Sequence, residues 1–309
     1  MNQTLFKEIE NQMKDPLVCD KLNSWLIQAD RTTSFIDAHR KTFNEWSPLK
    51  FYITLGSKDA FSIRCKGQEI AQLRFIAGRP TVFISDAQTK SNLRNFKFSP
   101  KCNKFQWVSD EGAAFRKHFS NALKQSHFHV HSEEHRIESE IISSLTSRSK
   151  PSCSSLRNRT AVTLCDFPLQ FPVPFSASKG TIGKTNGHID ILGRRPGGVL
   201  SVWELKKPDL CGSAPRQAYI YALQIYFMIY DPHMGKKWLE LFGFGRESQT
   251  VRIEIVLGLS NSQNGKAMAG ITKIRDEMKL DGIDSLFSWH IANYSIAHDM
   301  HTMSINKVP

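Results

Sequence analysis

The segment GHIDILGRRPGGVLSVWELKKP, residues 187–208, constrains this chain more than any other. Two apolar runs flank Pro196-Gly197-Gly198, and a three-residue loop with glycine at the left-handed position joins antiparallel strands. A hairpin centred on Gly197 sets Asp190 opposite Glu204, where opposed residues in an antiparallel pair have Cβ atoms ~5 Å apart, and a G1-type bulge at the turn would instead shift this register by one. Side-chain alternation sends Lys206 to the same side as Glu204. Ile189, Ile191, Val202, Trp203 and Leu205 interleave with these charges, so the strands are predicted to be central, where an unpaired charge is costly. Two carboxylates held this close repel unless something positive lies between them.

That trio has a chemical reading. Two carboxylates and an ammonium group on one sheet face suit a hard, oxygen-loving cation such as Mg²⁺. The cation would polarise a phosphodiester and acidify a bound water, and the lysine would orient or deprotonate that nucleophile. The bland counterpart is a solvated sheet face that happens to carry three charges, because an aspartate thirteen residues before Glu-X-Lys is a loose pattern.

The rest of the chain supplies context. Residues 1–46 read as two helices separated by Pro16, with Leu5, Phe6, Ile9 and Met13 on one face of the first. From Lys50 to Asp86 the runs FYITL, FSIRC, IAQLRFI and TVFIS alternate with turn material, predicting an antiparallel meander, and a helix follows from about Glu111 to Gln125. Residues 1–125 are therefore expected to form an accessory α+β domain. Residues 126–309 then offer helix SEEHRIESEIISSL, a Ser- and Arg-rich surface stretch (TSRSKPSCSSLRNR), strands LQFPVPF, HIDILGR and VLSVWELK, and a helix from Ala214 to Tyr230. Strand VRIEIVLGLS, helix GKAMAGITKIRDEMKL and strand SLFSWHIANYSI complete the order. The expectation is an α/β domain with a mixed central sheet flanked by helices.

Charge adds a partner class. The 309 residues carry a formal net charge of +12. Thirteen Lys/Arg against five Asp/Glu fall between residues 51 and 130, and six against two between 151 and 200. Clustered positive charge suits a polyanion such as nucleic acid. The apolar stretch Ala218–Tyr230 is too short for a bilayer and contains Gln224, so no membrane span is expected. The opening MNQTLFKEIENQ lacks the basic start and apolar core of a secretion signal. Six scattered cysteines without a CxxC pair read as free thiols of a reducing, cytoplasmic protein.

Asp190 followed by Glu204-Leu205-Lys206, between a Glu-bearing helix and a second helix, resembles the PD-(D/E)XK nuclease superfamily over about residues 131–260. Gln217 and Tyr221, four apart and so on one helical face, resemble the RecB and λ-exonuclease branch. The resemblance implies a restriction-endonuclease-like core and Mg²⁺- or Mn²⁺-dependent hydrolysis of nucleic acid, with DNA the expected substrate. It further implies that Asp190, Glu204, the Leu205 carbonyl and Glu138 bind the metal and that Lys206 positions water. Gln217 and Tyr221 would orient Lys206 or a phosphate. Glu134 shares a helix face with Glu138, and Glu140 is its rival for the helix role. Restriction or phage defence would fit such a chain by analogy, and double-strand cutting would favour a homodimer.

Two rivals stand beside this reading. The first is a non-catalytic nucleic-acid-binding subunit on the same scaffold. The second is a zinc peptidase, since His131, Glu134 and His135 match H-x-x-E-H. Against the zinc reading, four histidines between residues 127 and 135 also suit a polar helix start, and Lys206 and Lys207 beside Glu204 disfavour a zinc ligand there.

Overall fold

The computed structural model describes residues 4–41, 49–56, 61–84, 87–123, 133–146, 153–177, 181–206, 211–245, 250–260, 264–294 and 303–309. Helices α1 (Leu5–Met13) and α2 (Pro16–Ala38) open the chain. Thr4 caps α1 by accepting the Lys7 N–H, and Asp15 caps α2 by accepting the Leu17 N–H, with Pro16 at the first helical position. Leu5, Ile9 and Met13 are buried, as their spacing predicts.

Strands β1 (Lys50–Thr54), β2 (Phe61–Cys65), β3 (Gln68–Ile76) and β4 (Arg79–Phe83) form the predicted meander. Helix α3 (Ala87–Asn95), strand β5 (Lys104–Gln106) and helix α4 (Asp110–Leu123) follow. Neither α3 nor β5 carries a periodic apolar pattern strong enough to read from sequence.

The second half begins with α5 (Glu133–Thr146) and the short strands β6 (Thr160–Ala161), β7 (Thr163–Leu164), β8 (Phe167–Gln170), β9 (Pro172–Val173) and β10 (Gly187–His188). Then come β11 (Ile191–Arg195), β12 (Val199–Leu205), α6 (Ala214–Ile229), α7 (Gly235–Leu241), β13 (Arg252–Ser260), α8 (Asn264–Leu280), β14 (Phe287–Tyr294) and β15 (Ser304–Lys307).

Two large mixed sheets result, ordered β5-β4-β3-β2-β1-β8-β7 and β15-β14-β13-β12-β11-β6. In the second, β12, β13 and β14 run parallel, joined through α6 and α8, whereas β6, β11 and β15 are antiparallel to their neighbours. Leu200, Val202, Ile253, Ile255 and Leu257 share an apolar cluster with Ala218, Leu223 and Ile271 of α6 and α8. On the other face Trp203, Leu205 and Val256 cluster with Ile137 and Ile141 of α5. Helices thus cover both faces, the general architecture expected. Each such side chain removed from water contributes about 1.5–3 kcal/mol.

Several details depart from the sequence reading. LQFPVPF is not one strand: β8 ends at Gln170 and pairs in parallel with β1, while β9 pairs with β10. The first sheet therefore recruits strands from the second half, and one apolar cluster contains Leu5, Phe51, Leu223 and Ile255 together. The Ser- and Arg-rich stretch does not lie wholly on the surface, since Cys153 and Leu156 are buried and the Arg159 side chain is 7% exposed. Arg159 has a specific reason. It ion-pairs Glu254, which is fully buried and also meets Arg195 (2.7 Å), Ser201 Oγ (2.6 Å) and His290 Nε2 (3.1 Å). Burial alone would raise the Glu254 pKa, but the Arg159 hydrogen bonds and charge, with Ser201 and His290, hold it at about 2.

Candidate active site

Backbone pairing sets the site. β11 and β12 pair from Ile191↔Trp203 to Arg195↔Val199, the register expected from a turn centred on Gly197. Gly197 and Gly198 take φ of +80° and +69°, which a residue with a Cβ resists, so the tight turn depends on them. Asp190 lies one residue beyond the last pair, where the chain turns away and Ile189 donates its N–H to the Phe171 carbonyl (3.0 Å). Asp190 Oδ2 accepts the Leu205 N–H at 2.7 Å. A side chain thereby does what a ladder carbonyl would otherwise do, satisfying a buried strand-end donor.

Glu204 continues the face of Leu200 and Val202 and is 1% exposed. Lys206 Nζ lies 2.5 Å from Glu204 Oε1 as an ion-pair contact. Apart from that ammonium, neither Glu204 oxygen has a hydrogen-bond partner among the described residues. Burial and the Glu138 charge push Asp190 up to about 7, against the Leu205 N–H and Lys206. Burial and then Asp190 push Glu204 well above the carboxylate range. Burial would lower Lys206, but Glu204 and Asp190 outweigh it and raise its pKa. Burial is the main reason both carboxylates hold their protons, neighbouring negative charge adds to it, and the same carboxylates raise Lys206.

Glu138, from α5, has a different setting. It is 6% exposed, with Oε1 3.2 Å from Arg64 Nη1 and Oε2 3.2 Å from His135 Nδ1. Its hydrogen bond to His135 raises the histidine pKa against burial. Both oxygens are thus engaged by cationic or donor groups, and Glu138 acts on Asp190 through its charge. Arg64 comes from β2, is 7% exposed, donates to Gln170 Oε1 (3.0 Å) and Ser62 Oγ (3.3 Å), and lies 4.4 Å over the Tyr52 ring. Sequence reasoning missed Arg64, which is one arginine among many until β1–β2 pairing and α5 docking bring it to Glu138. Glu134 reaches Asp190, Glu204 and Lys206 by charge, whereas Glu140 is exposed.

On α6, Tyr221 is 4% exposed, accepts the Ala177 N–H at 3.4 Å and hydrogen-bonds Gln217. Burial and the nearby Glu204 charge raise its pKa, so it stays a phenol. Gln224 turns elsewhere, pinning Phe175 by accepting its N–H (2.8 Å) and donating to its carbonyl (3.0 Å). The structure therefore brings Asp190, Glu204 and Lys206 into mutual electrostatic reach and Tyr221 within reach of both carboxylates, with Gln217 bonded to Tyr221 and Leu205 supplying a backbone N–H.

Of the zinc-peptidase trio, His131 lies outside the described residues and His135 is bonded to Glu138. Among the described residues no group of three or more His, Cys, Asp or Glu side chains is spaced to hold a metal ion. What the site offers is two carboxylates, Asp190 held by the Leu205 N–H and Glu204 met by the Lys206 ammonium. That donor set fits a hard cation which keeps several waters and takes only one or two protein carboxylates. No protein-family model, curated protein or solved structure matches this chain. No helix among the described residues is long and apolar enough to cross a membrane.

Proposed function

We propose that this protein is a Mg²⁺- or Mn²⁺-dependent nuclease with a restriction-endonuclease-like core, acting on nucleic acid and specifically on DNA. One observation carries the reading: the buried carboxylate of Glu204, the half-buried carboxylate of Asp190 and the Lys206 ammonium meet at the end of a central hairpin, with that ammonium the sole partner of Glu204 among the described residues. Two carboxylates against one ammonium leave the site with excess negative charge in a poorly solvated place, which is costly unless a further cation or a proton offsets it. Strand order supports the same core, with antiparallel β11 and β12 followed through α6 by the parallel strand β13.

Asp190 and Glu204 would hold the cation, with the Leu205 carbonyl beside them. When bound, Mg²⁺ supplies Lewis-acid polarisation and an acidified water. The chain's own groups do the positioning. Asp190 is fixed by the Leu205 N–H, which leaves its other oxygen to face the site. Lys206, its pKa raised, stays an ammonium at neutral pH and so orients the water or a phosphate without accepting a proton. Tyr221 remains protonated, with the Ala177 N–H and Gln217 holding its oxygen. Glu138, engaged by Arg64 and His135, supports Asp190 from behind and is a weaker candidate ligand.

The non-catalytic binding subunit draws on one observation, the lack of a three-ligand group among the described residues. A single experiment separates the two readings. Plasmid and single-stranded DNA are incubated with Mg²⁺ or Mn²⁺ and the protein, beside Glu204→Gln and Lys206→Ala variants of matched unfolding midpoint. Metal-dependent cutting that falls at least a hundredfold in both variants is expected. DNA left intact by the wild-type protein under either metal would sink the nuclease reading.

A further inference from the structure

We infer that the open face of the first sheet, across β3, β4 and β5, is a binding track for the sugar–phosphate backbone of a nucleic-acid strand. The pairings Gln72↔Phe83, Arg74↔Thr81 and Ile76↔Arg79, then Thr81↔Gln106 and Phe83↔Lys104, put these eight side chains on one side. The opposite side is apolar: Leu73, Val82 and Phe105 enter the core with Phe115 of α4. The outward set holds three cations and no acid. Arg79, Lys104 and Gln106 are exposed, and Ile76 is 42% exposed.

This face is built, not merely charged. The Arg74 guanidinium lies 4.9 Å from the Phe83 ring centroid and Lys104 Nζ lies 5.4 Å from it. Arg74 donates to Gln72 Oε1 at 3.3 Å, and its buried Nε has no hydrogen-bond partner among the described residues. None of Arg74, Arg79 and Lys104 has an ion-pair partner among the described residues. An aromatic ring carrying two cations, flanked by amides, suits a ligand with phosphates and planar bases.

The track also has a defined end. Ser62 pairs with both Tyr52 and Gln72, and Ser62 Oγ accepts from Arg64, which holds Glu138. The outward face therefore runs from Lys104 through Phe83 and Arg74 to Gln72 and ends at β2, where the same side is covered: Ser62 and Tyr52 are buried, Tyr52 packs with Ile137 and Ile141 of α5, and Arg64 reaches Glu138 beneath that cover. Neighbouring strands lie about 4.8 Å apart, so β5 to β2 spans roughly 14 Å. Delivery of the strand to the candidate site rests on the nuclease reading, whereas binding to this face does not.

The test measures anisotropy of fluorescein-labelled single-stranded and duplex DNA in EDTA, where metal-dependent cutting is silent. The full-length protein is compared with Arg74→Ala/Arg79→Ala/Lys104→Ala and with Arg79→Glu/Lys104→Glu, which alters only the two exposed positions and so spares the fold. At least tenfold weaker binding is expected, with the log–log salt slope shallower by about three in the triple variant. Unchanged affinity and slope in both variants, or no wild-type binding to either probe, would overturn the track. Binding that depends on these residues in a protein that never cuts DNA retires the nuclease reading and keeps the track. Cutting with unchanged KM in both variants retires the track alone.

Discussion

The Glu254 cluster gives the sharpest quantitative expectation. Glu254 is fully buried on β13, and its carboxylate gathers Arg159 from the segment before β6, Arg195 from β11, Ser201 from β12 and His290 from β14. One side chain thus ties the strands beneath the candidate site together. Its folded pKa of about 2 against an ordinary 4.5 marks preferential stabilisation of the ionised form. At about 1.4 kcal/mol per pKa unit that difference amounts to roughly 3 kcal/mol of folding stability. The sign follows from proton uptake. Above about pH 5 both folded and unfolded forms are ionised and the contribution is complete. Between about pH 5 and 2 the unfolded chain takes up the proton first, so stability falls. By pH 3 about 2 of the roughly 3 kcal/mol should be gone. Urea unfolding of the wild type and a Glu254→Gln variant from pH 6 to 3 isolates this group, because other carboxylates titrate in both. The two stability curves should converge by about 2 kcal/mol across that range. Parallel curves would refute the claim that the arginines hold Glu254 ionised.

Two further outcomes follow from the same geometry. Arg64→Ala should destabilise the fold by about 3–5 kcal/mol in urea unfolding, because it leaves the buried Glu138 carboxylate without its guanidinium, and a loss under 1 kcal/mol would show the pair to be dispensable. Gly187→Ala places a Cβ 2.9 Å from both Tyr221 Cε1 and the Phe175 carbonyl oxygen. It should cost about 1–3 kcal/mol by displacing the tyrosine. On the nuclease reading it should also lower kcat more than KM, and an unchanged midpoint with full activity would show that Tyr221 is not held there.

Some of this was legible residue by residue. The hairpin register follows from two glycines and a proline, because a three-residue loop leaves the strands little freedom to slide. The buried faces of α1 and α6 follow from apolar spacing alone. The same-side placement of Glu204 and Lys206 follows from strand alternation. The break before Ile191 was not legible. HIDILGR reads as one strand, yet Ile189 bonds Phe171 and Asp190 swings over to Leu205. A chain segment cannot announce which of two partners will take its N–H groups.

Local sequence therefore determined what repeats over a few residues: helix faces, turn type, strand alternation and the pairing of 191–195 with 199–203. Tertiary structure alone decided what depends on distant partners. It set Arg64 against Glu138 across seventy-four positions, gave Arg159 to Glu254, joined β1 to β8, and turned Gln224 toward Phe175 while Tyr221 faced Glu204. The physical reason is range. Backbone geometry is fixed by torsions within a turn or a strand, whereas a buried charge takes whichever counter-charge the packing of whole sheets and helices delivers to it.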